Sequence, residues 1–251
     1  MIKYFIIISV LLSLCPSQGF SQEASLSRAK IYNAYTLGRP DLWKKEIVNI
    51  ESEYRRSKSL STLHQLLLAE YGYIALCLKE KLKREASEEL QKGRETLAIL
   101  KQNDPDNPEL IAIEAAFAGF DIVINPIRAI FLAGEAKRLT DEAYNKDPDG
   151  LISISVKANQ LQFTPSAFGG SVNESLEYYK RIIEQYDSGN VEKIDDWRYI
   201  NTLVILAGAY EKLDRYNEAC LIYEKIIATD PDIGWINNGL YPAALKRKSR
   251  N

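Results

Sequence analysis

Between about residues 24 and 229 the apolar positions recur at the three-and-four spacing of helices that bury one face. Polar or Gly/Pro punctuation divides the run into paired segments at 24–57, 60–102, 107–146, 150–187 and 195–229, with a short C-terminal cap beyond Asp232. Gly38 and Pro40 interrupt the first pair, Asn125-Pro126 the third, and residues 164–170 the fourth. One stretch pulls the other way, because Ile152, Ile154, Val156 and Ala158 alternate with polar residues as they would in a strand. The stripe Leu151, Ile154, Ala158, Leu161 and the position of this stretch in the series predict a helix instead.

The punctuation is periodic. Asp-Pro-Asp occurs at Asp104, Asp147 and Asp230, spaced by 43 and 83 residues, so the period is near 42 and a fourth terminator falls due near residue 188. Asp187, Ser188 and Gly189 stand there, with Gly in place of Pro. Twelve residues before Pro105, Pro148 and Pro231 come Gly93, Ala136 and Ala219, all small enough to let two helices approach closely. In the last pair, Leu203, Leu206, Ala207 and Tyr210 are followed by Ala219, Tyr223 and Pro231. These reproduce the W-x2-L-G-x2-Y…A-x3-F…P spacing with Leu for Trp and Ala for Gly. Pro231 ends the second helix because it cannot continue one.

This last pair resembles a tetratricopeptide repeat, lengthened here from the usual 34 residues. The resemblance implies an all-α, right-handed α-solenoid of about five antiparallel helix hairpins, with a concave surface lined mainly by first-helix residues. The family's groove spacing puts Asn201, Val204, Gly208, Glu211 and Lys212 on that surface. A mixed-charge groove with one small residue suits an extended peptide or protein tail, so the expected function is a binding scaffold with a protein or peptide partner.

The chain opens with Lys3, an apolar run over 4–14 and then small and polar residues, the layout of a secretory signal peptide and too short to span a bilayer. Gly19 and Ser21 suit a cut after Ser21, giving a leader at 1–21 and a repeat domain at 22–251; Ser17 and Gly19 suit a cut two residues earlier. Lipidation at Cys15 is the rival, disfavoured by the bulky Leu14 before it. Losing Lys3 takes the 32 basic residues to 31 against 34 acidic ones, a formal charge of −3. That balance recruits neither nucleic acid nor an anionic membrane. Residues Lys246, Arg247, Lys248 and Arg250 form a basic C-terminal cluster that reads as a solvated tail. No second long apolar run follows the leader, so the mature chain is expected without a transmembrane segment, in the periplasm of a Gram-negative bacterium.

Catalytic chemistry has little to stand on. The single histidine, His64, lies among leucines on a helix with no metal-binding pattern beside it. No cofactor or metal site is expected, and the protein reads as a non-enzyme. Cys77 and Cys220 are three hairpin steps apart, on the order of 30 Å at about 10 Å per packed helix, so they are expected to stay unbridged. In the fourth pair, Ser171 and Glu174 form a capping box after Gly169-Gly170. The segment resembles the Thr-Pro…Phe-Gly-Gly turn of certain bacterial periplasmic repeat proteins, some of which accompany solute transporters. That likeness implies the alternative function, an accessory that holds or passes a small solute, which an enclosed apolar pocket would favour. Asn173-Glu174-Ser175 is a glycosylation sequon only in a eukaryotic secretory pathway.

The leader carries its own prediction. Protein recovered from the periplasm of the producing cell begins at Gln22 by intact mass, and a diacylglyceryl adduct on Cys15 overturns it.

Overall fold

A computed structural model describes the backbone of residues 17–250 and side chains from Ser25 onward. The leader's charge, apolar run and Cys15 lie outside the described residues. Ten helices pair into five hairpins: α1 Ser17–Thr36 with α2 Pro40–Ser57, α3 Leu60–Lys79 with α4 Lys83–Asn103, and α5 Pro108–Ile124 with α6 Ala129–Lys146. The fourth is α7 Leu151–Phe163 with α8 Val172–Asp187, and the fifth α9 Trp197–Lys212 with α10 Tyr216–Thr229. A π-helical turn at Ile236–Leu240 and α11 Tyr241–Lys248 form the cap. Successive helices pack on one another along the chain, giving an all-α solenoid of helical hairpins, and the described residues contain no strand.

The repeated terminators share one backbone solution. Asp104, Asp147 and Asp230 each leave the helix at φ between −146° and −141°, extended because a proline follows. Each still donates its N–H to the carbonyl four residues back, at 2.9–3.1 Å. The fourth link ends differently: Ser188 closes α8, and Gly189 takes a left-handed φ of +79° that its lack of a Cβ allows. Some helix starts are capped by side chains, Asn107 accepting from the Glu109 and Leu110 N–H groups and Asp196 from that of Arg198. Ser171 accepts from Glu174 N–H at 3.1 Å, one half of the expected capping box; the other half is missing, because the Ser171 N–H donates to the Leu161 carbonyl at 2.8 Å instead of to Glu174.

Packing accounts for both the small residues and the strand-like stretch. A Cβ on Gly93 would come within 2.9 Å of the Phe117 ring, and Ala219 is fully buried. Ala136 is only half-buried, so the small residue at that step is not pressed between helices as Gly93 and Ala219 are. Helix α7 packs against α5 and α6 as well as α8. Its Ile152, Ile154, Val156 and Ala158 are therefore all buried. A helix covered on several sides has no polar stripe to reveal its period.

The two ends of the array meet. Tyr35 in α1 has its ring centroid 6.3 Å from Trp43, 6.0 Å from Trp197 and 5.8 Å from Trp235, and Trp43 lies 5.0 Å from Trp197. All three tryptophans of the chain join this cluster. Hydrogen bonds reinforce it: the Trp235 indole N–H donates to Thr36 O at 3.0 Å, and the Tyr32 hydroxyl to Asp230 Oδ2 at 2.8 Å. The Arg28 guanidinium donates to the Glu192 carbonyl at 2.7 Å. Gly72 in α3 makes the cluster possible, because a Cβ there would run into the Trp197 ring and stand 2.6 Å from Trp43.

Two glycine substitutions separate this contact from ordinary helix propensity. Gly72→Ala forces a methyl into the indole rings and is expected to cost about 3 kcal/mol. Gly208→Ala, also in a helix but with nothing within 4 Å of its Cβ, is expected to raise stability by about 0.5–1 kcal/mol. Urea unfolding of both variants measures the difference; equal effects would mean that the rings do not rest on Gly72.

Candidate partner-binding surface

Helix α9 presents the five groove positions, and its surroundings divide them. Asn201, Val204, Gly208 and Lys212 follow nearly the four-residue spacing of one helix face. The Asn201 carboxamide oxygen accepts a hydrogen bond from the Tyr35 hydroxyl at 3.2 Å, so α1 occupies that end of the face. Glu211 is turned toward the cap: one carboxylate oxygen accepts from the Tyr223 hydroxyl at 2.8 Å, and the other pairs with Arg247 at 2.9 Å. Burial and the neighbouring Glu211 charge push the Tyr223 hydroxyl well above the usual phenol range. Asn201 and Glu211 therefore spend their polar groups within the molecule.

The other three remain together. Val204 is half-buried against the core, Gly208 borders open space and Lys212 is exposed. The Lys212 ammonium lies 4.8 Å from the ring centroid of Phe163, at the end of α7, a cation–π contact. The result is a short open stripe on α9: an apolar floor, a gap where a side chain could stand, and a cation beside an aromatic ring. From Val204 to Lys212 it runs about 12 Å at 1.5 Å per residue, the reach of about four residues of extended chain.

His64 Nε2 lies 2.6 Å from Glu109 Oε1, joining the first turns of α3 and α5 at a half-exposed position. Cys77 and Cys220 are both free and buried. Among the described residues no three His, Cys, Asp or Glu are grouped to hold a metal, and no helix is long and apolar enough to cross a membrane. An open depression between α8, α9 and α10 is lined by Ile183, Leu206, Tyr210 and Ile222 and rimmed by Lys180 and Glu184.

The periodic pattern gives no hint of two features. The aromatic closure draws on residues up to 200 positions apart, and its signal in the sequence is only that three tryptophans sit near the starts and ends of helices. The second is a set of buried carboxylates between α2, α3 and α4. Glu89 is buried and ion-paired with Lys44. Glu70 is buried with its Oε2 unpartnered. Loss of solvation pushes its carboxyl up to about 8, aided by the Glu89 charge and opposed by the Thr96 hydroxyl and Lys44.

Comparison with known proteins bears on the repeat and the fold. A tetratricopeptide-repeat family profile matches residues 202–232, the α9–α10 hairpin. The chain carries a tetratricopeptide repeat. Around it, the array is similar to two solved structures. The HusA haemophore from Porphyromonas gingivalis is 14% identical with a TM-score of 0.62, over 79% of this chain and 96% of that one. A thermophilic TPR protein from Thermus thermophilus is 16% identical with a TM-score of 0.53, over 90% of this chain and 98% of that one. At these identities the likeness is one of fold. No curated protein sequence matches the chain.

Glu70 yields a pH prediction. Its carboxyl holds a proton in the folded state up to about pH 8 but releases it near pH 4.5 when unfolded. The folded state therefore binds the extra proton between those values, and this group's contribution makes stability fall as pH rises through that window. Glu70→Gln removes the dependence. Urea unfolding is expected to show the variant close to wild type near pH 4.5 and more stable at pH 8 by on the order of 2–3 kcal/mol; an unchanged difference between the two pH values overturns the assignment.

Proposed function

We propose that this protein is an exported, periplasmic, non-enzymatic scaffold that binds an extended segment of a partner protein along α9. Tetratricopeptide repeats suggest a protein-interaction scaffold. The observation that carries the finer reading is the empty space over Gly208, flanked by Val204 and by Lys212 on Phe163. Glycine in a helix interior costs about 0.5–1 kcal/mol relative to alanine, and no neighbour here demands its small size. An extended peptide gains from it, because its backbone can approach the helix at that point. Val204 offers apolar contact to one side chain, and Lys212 offers charge to a carboxylate.

A second reading is supported by the fold shared with the HusA haemophore: an accessory that holds or passes a small solute. The depression between α8, α9 and α10, open and charged at its rim, gives that reading less support than an enclosed apolar pocket would.

One experiment distinguishes them. Peptides selected on the protein from a displayed random library are titrated against wild type, Gly208→Leu and Lys212→Glu. Both variants are expected to fold normally and to weaken binding at least tenfold, with acidic peptides most affected by Lys212→Glu. Failure to select any peptide, or equal binding by all three proteins, rejects the groove and leaves the solute reading.

A further inference from the structure

Asparagine is followed by glycine once in the chain, at Asn238-Gly239. The pair lies inside the π-helical turn Ile236–Leu240 of the cap, and both residues are exposed. Three features of the turn leave this peptide loosely held. The Tyr241 N–H donates to Ile236 O, five residues back, so the regular helical ladder is already broken here. Pro242 has no N–H to give to the Asn238 carbonyl four residues before it, so the peptide plane between Asn238 and Gly239 lacks the donor that an α-helix supplies on that side. Gly239 has no side chain to hinder rotation of that plane, and the place of its Cβ has nothing within 4 Å.

Comparable groups nearby are held. The Asn237 carboxamide donates to Pro231 O at 2.5 Å, whereas the Asn238 carboxamide is in no hydrogen bond among the described residues. Asp149-Gly150 is the one aspartate–glycine pair, and it is engaged on both sides. Asp149 Oδ1 accepts from Arg181 at 3.1 Å, the Gly150 N–H donates to Asp147 O at 3.4 Å, and the Asp147 carboxylate fills the place of a Cβ on Gly150. At 238–239, by contrast, a free amide stands beside a glycine with open space around it.

We infer that Asn238 is a site of spontaneous deamidation in the folded protein, and that its isoaspartate product slackens the hold of the cap on α1. The Gly239 nitrogen gives its proton to solvent base and attacks Asn238 Cγ. The new N–Cγ bond closes a succinimide ring as the Cγ–Nδ2 bond breaks, and the amide leaves as ammonia with a proton from water. Water then opens the ring. Attack at Cγ leaves aspartate on a normal main chain, and attack at the main-chain carbonyl leaves isoaspartate, in which the chain runs through Cγ. One water enters, one ammonia leaves and a carboxyl group is gained, without oxidation or reduction. Position gives the second product its effect. Upstream, the Trp235 indole N–H ties the cap to α1 at Thr36 O; downstream, the Tyr241 hydroxyl ties it to α10 at Glu224, 2.9 Å away. Isoaspartate inserts a main-chain carbon between these two anchors, whereas aspartate adds charge alone.

Incubation of the purified protein in mildly alkaline buffer tests the inference, with the tryptic peptide 226–246 followed by tandem mass spectrometry. The amide-to-acid mass gain is expected at Asn238 and not at Asn237. It is expected to come faster as pH rises, because the attacking nitrogen must lose its proton, and at least tenfold slower in Gly239→Ala, whose methyl crowds the ring closure. The 149–150 peptide bond is expected to stay free of isoaspartate. The isoaspartate form, separated by ion exchange, is then unfolded in urea beside the Asn238→Asp variant, which carries the charge without the extra carbon. The isoaspartate form is expected to unfold at the lower urea concentration. The inference is overturned if Asn238 converts in urea but not in the folded protein, because the turn then protects it. It is likewise overturned if Asn237 converts as fast as Asn238, if Gly239→Ala converts as fast as wild type, or if the isoaspartate form and the Asn238→Asp variant unfold together.

Discussion

The array depends on one contact, the packing of Tyr35 with Trp43, Trp197 and Trp235 above the bare backbone of Gly72. Solenoids are ordinarily one-dimensional, each repeat touching only its neighbours, and their stability adds up step by step. Here the first hairpin also touches the fifth and the cap, so loss of either end removes contacts from the other. Aromatic rings suit this joint because each covers a large area with few rotatable bonds. Their edge-to-face geometry, with interplanar angles of 80° and 87° about Tyr35, also fixes how the ends are set.

Closure has consequences for the groove. In an open array all five positions on α9 would face solvent; here α1 takes Asn201 through the Tyr35 hydroxyl, and the cap takes Glu211 through Arg247. What remains is the short stripe of Val204, Gly208 and Lys212 beside Phe163. On the proposed scaffold reading, a stripe of about four residues' length would select a short motif rather than a long tail, which would limit affinity and favour partners that engage a second surface. Two buried acidic groups lie elsewhere, in α3 and α4: Glu89 is paired with Lys44 of α2, while Glu70 keeps an unpartnered oxygen at a cost in solvation.

Chemistry is distributed unevenly over the rest of the surface. Asp-Pro-Asp stops helices because the proline forbids another turn and holds the residue before it extended, so three repeats of one stop signal also line one edge with carboxylates. The turns within hairpins have no such requirement. Two of them carry isoleucine and phenylalanine instead, at positions where folding buries nothing.

The sequence by itself determined the helices, their pairing and their stops. Five hairpins stand close to where the punctuation divides the chain, four of them closed by the stops of the period near 42, although α1 begins at Ser17 rather than near 24; helix periodicity and proline termination act over a few residues and leave a local record. Even the alternating stretch at 152–158 was legible as helix from its place in the series, although its own pattern pointed to a strand. The tertiary structure alone decided which groove residues are free. Asn201 and Glu211 look no different in sequence from Val204 and Lys212; what separates them is the return of α1 and the packing of α11, contacts made across up to 166 positions. The same holds for Gly72 and Gly208, two helical glycines, one pressed between indole rings and the other open to solvent. Long-range packing leaves no periodic trace, because a side chain's neighbours across the fold are set by the summed twist of many repeats rather than by spacing along the chain.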